Sequence, residues 1–64
     1  MITITLIGPD NAQSVVEIRK DTTVRDVATS KYHLFWRTTK RNGIKVIPFT
    51  TTVADGDTVT VENA

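Results

Sequence analysis

Few residues in this chain have types suited to chemistry, and His33 is the first of them. It is the sole histidine, and histidine is the one side chain whose ordinary pKa lies near neutrality. It falls beside Tyr32 at the end of a predicted helix, where positive charge is favoured by the helix dipole. A partly exposed, helix-terminal histidine is the expected role. Threonine is abundant, but no Ser/His/Asp order stands out. Asp55 and Asp57 flank Gly56, yet the rest of a calcium-loop pattern is missing, so these residues read as a turn. Gly8, Gly43 and Gly56 are scattered and make no phosphate loop. The absence of cysteine excludes disulfides, thiolate metal sites, iron–sulfur clusters and thiol catalysis. No catalytic residue, metal ligand or cofactor is expected, and the chain reads as a non-enzyme.

Charge is more informative in its distribution than in its sum. Lys+Arg number 8 and Asp+Glu 7, a net charge of +1. Every acid lies at or before Asp26, or at or after Asp55. Between them come Lys31, Arg37, Lys40, Arg41 and Lys45 with no acid, interleaved with Phe35 and Trp36. Such residues can be solvated turn positions that keep a hairpin edge from pairing with other chains. They can equally form a basic face for an acidic protein or for nucleic acid.

The elements that must position these residues follow from periodicity. With 64 residues, 39% of them hydrophobic, the chain is a single small domain, 1–64, with one core. Residues 2–7 alternate, with Ile2, Ile4 and Leu6 on one face and Thr3 and Thr5 on the other, which predicts a strand. Gly8-Pro9-Asp10-Asn11 is a turn. Residues 14–19 alternate again, with Val16 and Ile18 together, and complete a hairpin. Over 23–33 the period changes: Val24, Val27, Ala28 and Tyr32 form the stripe of an amphipathic helix, with Thr23 as N-cap. Residues 34–39 and 44–47 are strands joined by Asn42-Gly43, a strong two-residue hairpin signal. Pro48 makes the second of them short or an edge strand. Residues 49–54 are ambiguous, with anchors at Phe49 and Val53. Residues 58–62 alternate, with Val59 and Val61 inward. The N-terminal stretch does not resemble a signal peptide, and no apolar run approaches the ~18 residues of a membrane span. The expectation is a soluble, cytoplasmic protein with no membrane partner.

A two-residue Asn42-Gly43 loop sets the register: Arg41 opposes Ile44, Lys40 opposes Lys45 and Thr38 opposes Ile47. One hairpin face then carries Trp36, Thr38, Lys40, Lys45, Ile47 and Phe49. The other carries Phe35, Arg37, Thr39, Arg41, Ile44 and Val46. The Trp36 set clusters more apolar bulk and is expected to face the core. Phe35, Ile44 and Val46, ringed by Arg37 and Arg41, are then left on the open face. Aromatic and arginine side chains in one patch have the composition of binding hot spots.

The order strand, strand, helix, strand, strand, strand with a single helix predicts an α+β fold, a ββαβββ mixed sheet with the helix packed on one face. Its layout resembles the β-grasp, the ubiquitin-like fold. Thr23-Val24-x-x-Val27-Ala28 resembles the opening of the helix in the ThiS/MoaD sulfur-carrier branch. Val53-Ala54-Asp55-Gly56-Asp57-Thr58-Val59-Thr60-Val61 resembles that branch's turn into its last strand. Carriers of this kind end in Gly-Gly, whose carboxylate is adenylylated by a partner enzyme. This chain reads Val61-Glu62-Asn63-Ala64 instead, so the resemblance does not imply carrier chemistry here.

The resulting expectation is a non-conjugating, ubiquitin-like interaction module, an adaptor or inhibitor (phage-encoded ones included). It would bind an acidic protein surface through its open sheet face, using Phe35, Arg37, Lys40, Arg41, Ile44 and Lys45. Two alternatives stand beside it. One is a small nucleic-acid binder that stacks bases on Phe35 or Trp36 and holds phosphates with the basic hairpin. The other is a sulfur-carrier-like protein with a truncated tail. The core assignment has a direct test. Val27→Asp buries an unpaired carboxylate and should cost several kcal/mol, on the order of the whole stability of so small a domain. The variant should show an unfolded NMR spectrum; a dispersed, native-like one would reject the assignment.

Overall fold

The computed structural model describes residues 1–32 and 36–63. The elements run β1 (Ile2–Ile7), β2 (Gln13–Ile18), α1 (Val24–Tyr32), β3 (Thr38–Arg41), β4 (Ile44–Lys45) and β5 (Thr58–Glu62). The strands form one five-stranded sheet in the order β2-β1-β5-β3-β4. β1 and β5 are parallel, and the other neighbours are antiparallel. The fold is therefore α+β, a mixed sheet with one helix.

Alternation selects which strand residues meet the helix. Ile4 and Leu6 from β1 and Val59 and Val61 from β5 are essentially fully buried. They pack with Val24, Val27 and Ala28 of α1 and with Val53. Ile2, Val16 and Ile18 continue this core toward the β2 edge and stay only partly buried. The helix starts as its cap residue dictates, with Thr23 Oγ1 accepting from the Asp26 N–H at 3.2 Å. Asp26 sits in the first turn and Lys31 in the last, each matched to the dipole. The helix ends at Tyr32 in the described residues, and His33 lies outside them.

The ambiguous stretch after β4 is ordered by the helix. The first N–H groups of a helix have no partner within it. Here Val24 N–H donates to the Thr51 carbonyl at 2.9 Å, and Arg25 N–H donates to the Pro48 carbonyl at 3.0 Å. Val53 N–H donates to the Thr22 carbonyl at 3.0 Å, beside a single bridge between Thr23 and Thr52. Residues 48–53 are thus held against the helix start by main-chain bonds.

The hairpin register is as its turn requires. Asn42 and Gly43 take φ values of 53° and 84°, the positive φ that a type I′ turn needs. Arg41 pairs with Ile44, and Lys40 with Lys45. The assignment of faces, however, is corrected. Thr39 pairs with Val61 and Arg41 with Val59, and directly opposed residues share a side of the sheet. Thr39 is 1% exposed, and Val46 packs on the core. The set with Thr39, Arg41 and Val46 therefore faces the helix, while Thr38 and Lys40 lie on the outer face with Glu62 and Thr60. Ile47 and Phe49, expected inside, are 67% and 66% exposed. The physical reason is that pairing to β5 turns Thr39 inward, and Val46, whose N–H donates to the Thr39 carbonyl at 3.1 Å, turns inward with it. Ile47 then falls outward, and the turn at 48–50 breaks the alternation before Phe49 is placed. Trp36 precedes β3 and packs against the core from there. No helix among the described residues is long and apolar enough to cross a membrane.

Gly8 shows how tightly β1 and α1 meet. A Cβ built on it would overlap the Tyr32 phenol ring. Gly8→Ala should therefore destabilise by about 1–3 kcal/mol through overpacking. Combining it with Tyr32→Leu should recover part of that loss, a coupling readable from the four melting curves. Strictly additive losses would show that the two residues do not compete for one space.

Candidate functional site

Two features of the 36–58 region stand apart from the core: a buried carboxylate beneath the hairpin turn, and an apolar, basic surface beyond it.

Asp57 is the buried carboxylate, its side chain about 10% exposed. Positive φ at Gly56, 84°, turns the chain so that Asp57 points inward as β5 begins. Its Oδ2 accepts from the Ala54 N–H at 2.8 Å and from Arg41 Nε at 2.6 Å. Its Oδ1 accepts from Asn42 Nδ2 at 3.1 Å. Asn42 continues the network: its Oδ1 accepts from the Thr58 N–H at 2.9 Å, and its own N–H donates to the Thr58 carbonyl at 2.7 Å. Burial pushes the Asp57 carboxyl up. The Ala54 N–H, the Arg41 and Asn42 hydrogen bonds and the Arg41 charge outweigh it and hold the group below its ordinary value. The neighbouring Asp55 serves β1, accepting from the Thr3 N–H at 2.8 Å. The Asp-Gly-Asp turn is thus a clamp between β1, β5 and the β3–β4 turn. Among the described residues, no group of His, Cys, Asp and Glu side chains could hold a metal ion.

The predicted binding residues divide on this geometry. Arg41 faces inward, and its Nε is bound to Asp57. Lys40 lies on the outer face, its Nζ 2.8 Å from Glu62 Oε1. That is an ion pair by distance without the alignment of a hydrogen bond. Arg37 and Lys45 are exposed. Ile44, expected on the open face, pairs with Arg41 and so shares its helix side of the sheet; it is nevertheless 70% exposed, because β4 is the edge strand. Phe35 lies outside the described residues. The structure brings in residues that the sequence reading had assigned to the core: Ile47 and Phe49, with the Arg25 guanidinium 5.4 Å from the Phe49 ring centroid. Pro48, three residues past the end of β4, was the available signal that Phe49 need not follow the strand's alternation.

Asp57 yields a pH-dependent prediction. A carboxyl whose folded pKa lies below its unfolded value stabilises the fold fully above that unfolded value, 3.8 for an ordinary Asp, and the stabilisation is lost as pH falls through the folded value. Asp57→Asn keeps the shape and removes the charge. It should cost about 2 kcal/mol at pH 7, after discounting for the part-exposed Arg41 partner. Urea melts from pH 7 to 2 should show the gap to the parent chain closing below pH 4. A gap that stays constant with pH would mean the charge contributes nothing.

In comparisons with known proteins the chain matches no family model, and no curated protein matches it.

Proposed function

We propose that this chain is a small protein-interaction module of the β-grasp, ubiquitin-like kind. We place its docking surface on the segment after the β3–β4 turn, at Ile44, Ile47 and Phe49. The sheet order β2-β1-β5-β3-β4 around a parallel β1–β5 pair, with one helix across one face, supports the β-grasp reading. The observation that carries the functional reading is the placement of exposed apolar bulk. Ile44, Ile47 and Phe49 are 66–70% exposed and lie within one short stretch. Single exposed apolar residues are ordinary, whereas a local concentration of them marks an interaction surface.

The surroundings set the chemistry of the partner. Arg25 stacks on Phe49, and Lys45 and Arg37 are exposed nearby in sequence. Arginine combined with aromatic and aliphatic area suits an acidic-rimmed apolar patch on another protein. The nucleic-acid reading is weakened by internal neutralisation. Lys40 is paired with Glu62 and Arg41 with Asp57, so two cations of the basic run already have counter-ions inside the fold. The main-chain bonds at Pro48 and Thr51 hold the segment in place before any partner arrives, which lowers the ordering cost of binding.

Three immobilised forms test this reading: the parent chain, an Ile44→Ser/Ile47→Ser/Phe49→Ser variant and an Arg37→Glu/Lys45→Glu variant. All changed side chains are exposed, so each substitution should alter stability by only about 0.5 kcal/mol. Proteins captured from native cells and identified by mass spectrometry should include a species held by the parent chain at high salt and lost from both variants. If the same species bind all three, the segment is not the docking surface. If the parent chain instead binds a single-stranded oligonucleotide with steep salt dependence, the nucleic-acid reading replaces this one.

A further inference from the structure

The far edge of the sheet has no strand neighbour among the described residues. β2 is the terminal strand of the sheet. It is longer than the opposite edge strand β4, whose two residues are followed by Pro48. Within Gln13–Ile18 there is no Pro, no Lys and no break in register against β1. These are the devices by which exposed edges are usually blunted.

The phase of the ladder identifies which backbone groups are open. Gly8 N–H donates to the Ala12 carbonyl at 3.0 Å. Bonded pairs recur at every second position of an antiparallel ladder. Leu6–Ser14, Ile4–Val16 and Ile2–Ile18 are therefore the bonded pairs of the β1–β2 register. Ser14, Val16 and Ile18 turn their N–H and C=O groups toward β1. Gln13, Val15 and Glu17 turn theirs outward. The other strand agrees, since Thr5 N–H and Thr3 C=O bond on the β5 side, to Asp57 and Gly56.

We propose that β2 pairs antiparallel with β2 of a second copy of this chain, with the two-fold axis at Val15. Val15 then opposes Val15, and Gln13 of each copy opposes Glu17 of the other. All three outward residues of each strand exchange both main-chain bonds. Side-chain chemistry selects this register. It sets the Glu17 carboxylate against the Gln13 amide, which can donate to it. Shifting each strand so that Glu17 lies on the axis would oppose like charges. Shifting the other way would leave outward groups unpaired. Val15 is 74% exposed in the single chain and would be covered by its counterpart. The partly buried Val16 and Ile18 would gain the neighbour that the sheet edge denies them. This surface is separate from the Ile44–Phe49 segment, so the inference stands or falls apart from that reading.

Sedimentation equilibrium of the full chain, from micromolar to about millimolar concentration, is the test, because a small edge-to-edge interface is expected to be weak. The parent chain should pass from monomer to dimer over that range. Val15→Lys places two ammonium groups on the axis and should remain monomeric with an unchanged melting temperature. Gln13→Lys puts a cation opposite Glu17 and should tighten the dimer about fivefold. Amide exchange at Gln13, Val15 and Glu17 should slow as concentration rises. A parent chain monomeric at about 1 mM, dimerisation that survives Val15→Lys, or exchange at these amides that ignores concentration would each overturn the proposal.

Discussion

A carboxylate taken out of water must be met by donors, and Asp57 is met by three: the Ala54 N–H, Arg41 and Asn42. Each donor comes from a different part of the fold. Ala54 belongs to the approach to β5, Arg41 ends β3 and Asn42 opens the hairpin turn. The bonds fix how far β3 slides along β5. The same strand pair places Thr39 and Arg41 toward the helix and leaves Thr38 and Lys40 outside. Where β4 and the following segment emerge depends on that register. So the surface at Ile44, Ile47 and Phe49 is positioned by a charge it does not itself contain. Removing one partner of such a cluster costs more than forming it gains, because the remaining group stays buried without its counterpart.

The helix start is the second constraint on the same segment. Its leading N–H groups could have been met by solvent or by a ligand. Here they are met by the Pro48 and Thr51 carbonyls. This couples the helix to a stretch with no regular secondary structure, and it keeps Phe49 beside Arg25. An irregular segment can present exposed apolar side chains in a fixed arrangement only if its backbone is anchored elsewhere, which these bonds accomplish.

Most of the architecture was legible because it rests on local pattern. Ile4 and Leu6, Val59 and Val61, and the Val24, Val27, Ala28 stripe were read correctly from periods of two and of about 3.6. Thr23 as N-cap and the Asn42-Gly43 turn follow from residue chemistry alone. What was not legible is non-local. The inward face of β3 is decided by its pairing to β5, not by its own composition, and a threonine rather than an aromatic ring occupies the buried position. Arg41 was read as surface charge, because nothing near it in sequence shows that Asp57 waits beneath it. Asp55 and Asp57 look equivalent in the sequence, yet one caps β1 from outside and the other is buried. The turn fixed which residues oppose one another but not which side they lie on: Ile44, expected on the open face, shares the side of Arg41, and Lys45 shares that of Lys40.

The parallel contact of β1 with β5 has a kinetic side. Thr5 meets Thr58, so the central pair of the sheet joins segments separated by most of the chain. Closing so long a loop before any contact rewards it slows folding relative to helical proteins of similar size. The β1–β2 hairpin and the helix are made first during synthesis, and until β5 arrives between β1 and β3 the Ile4 and Leu6 side chains lack one flank of their cover. β5 is therefore the keystone of assembly: whatever delays its docking prolongs the time in which both the β1 edge and the half-built core are open to other chains.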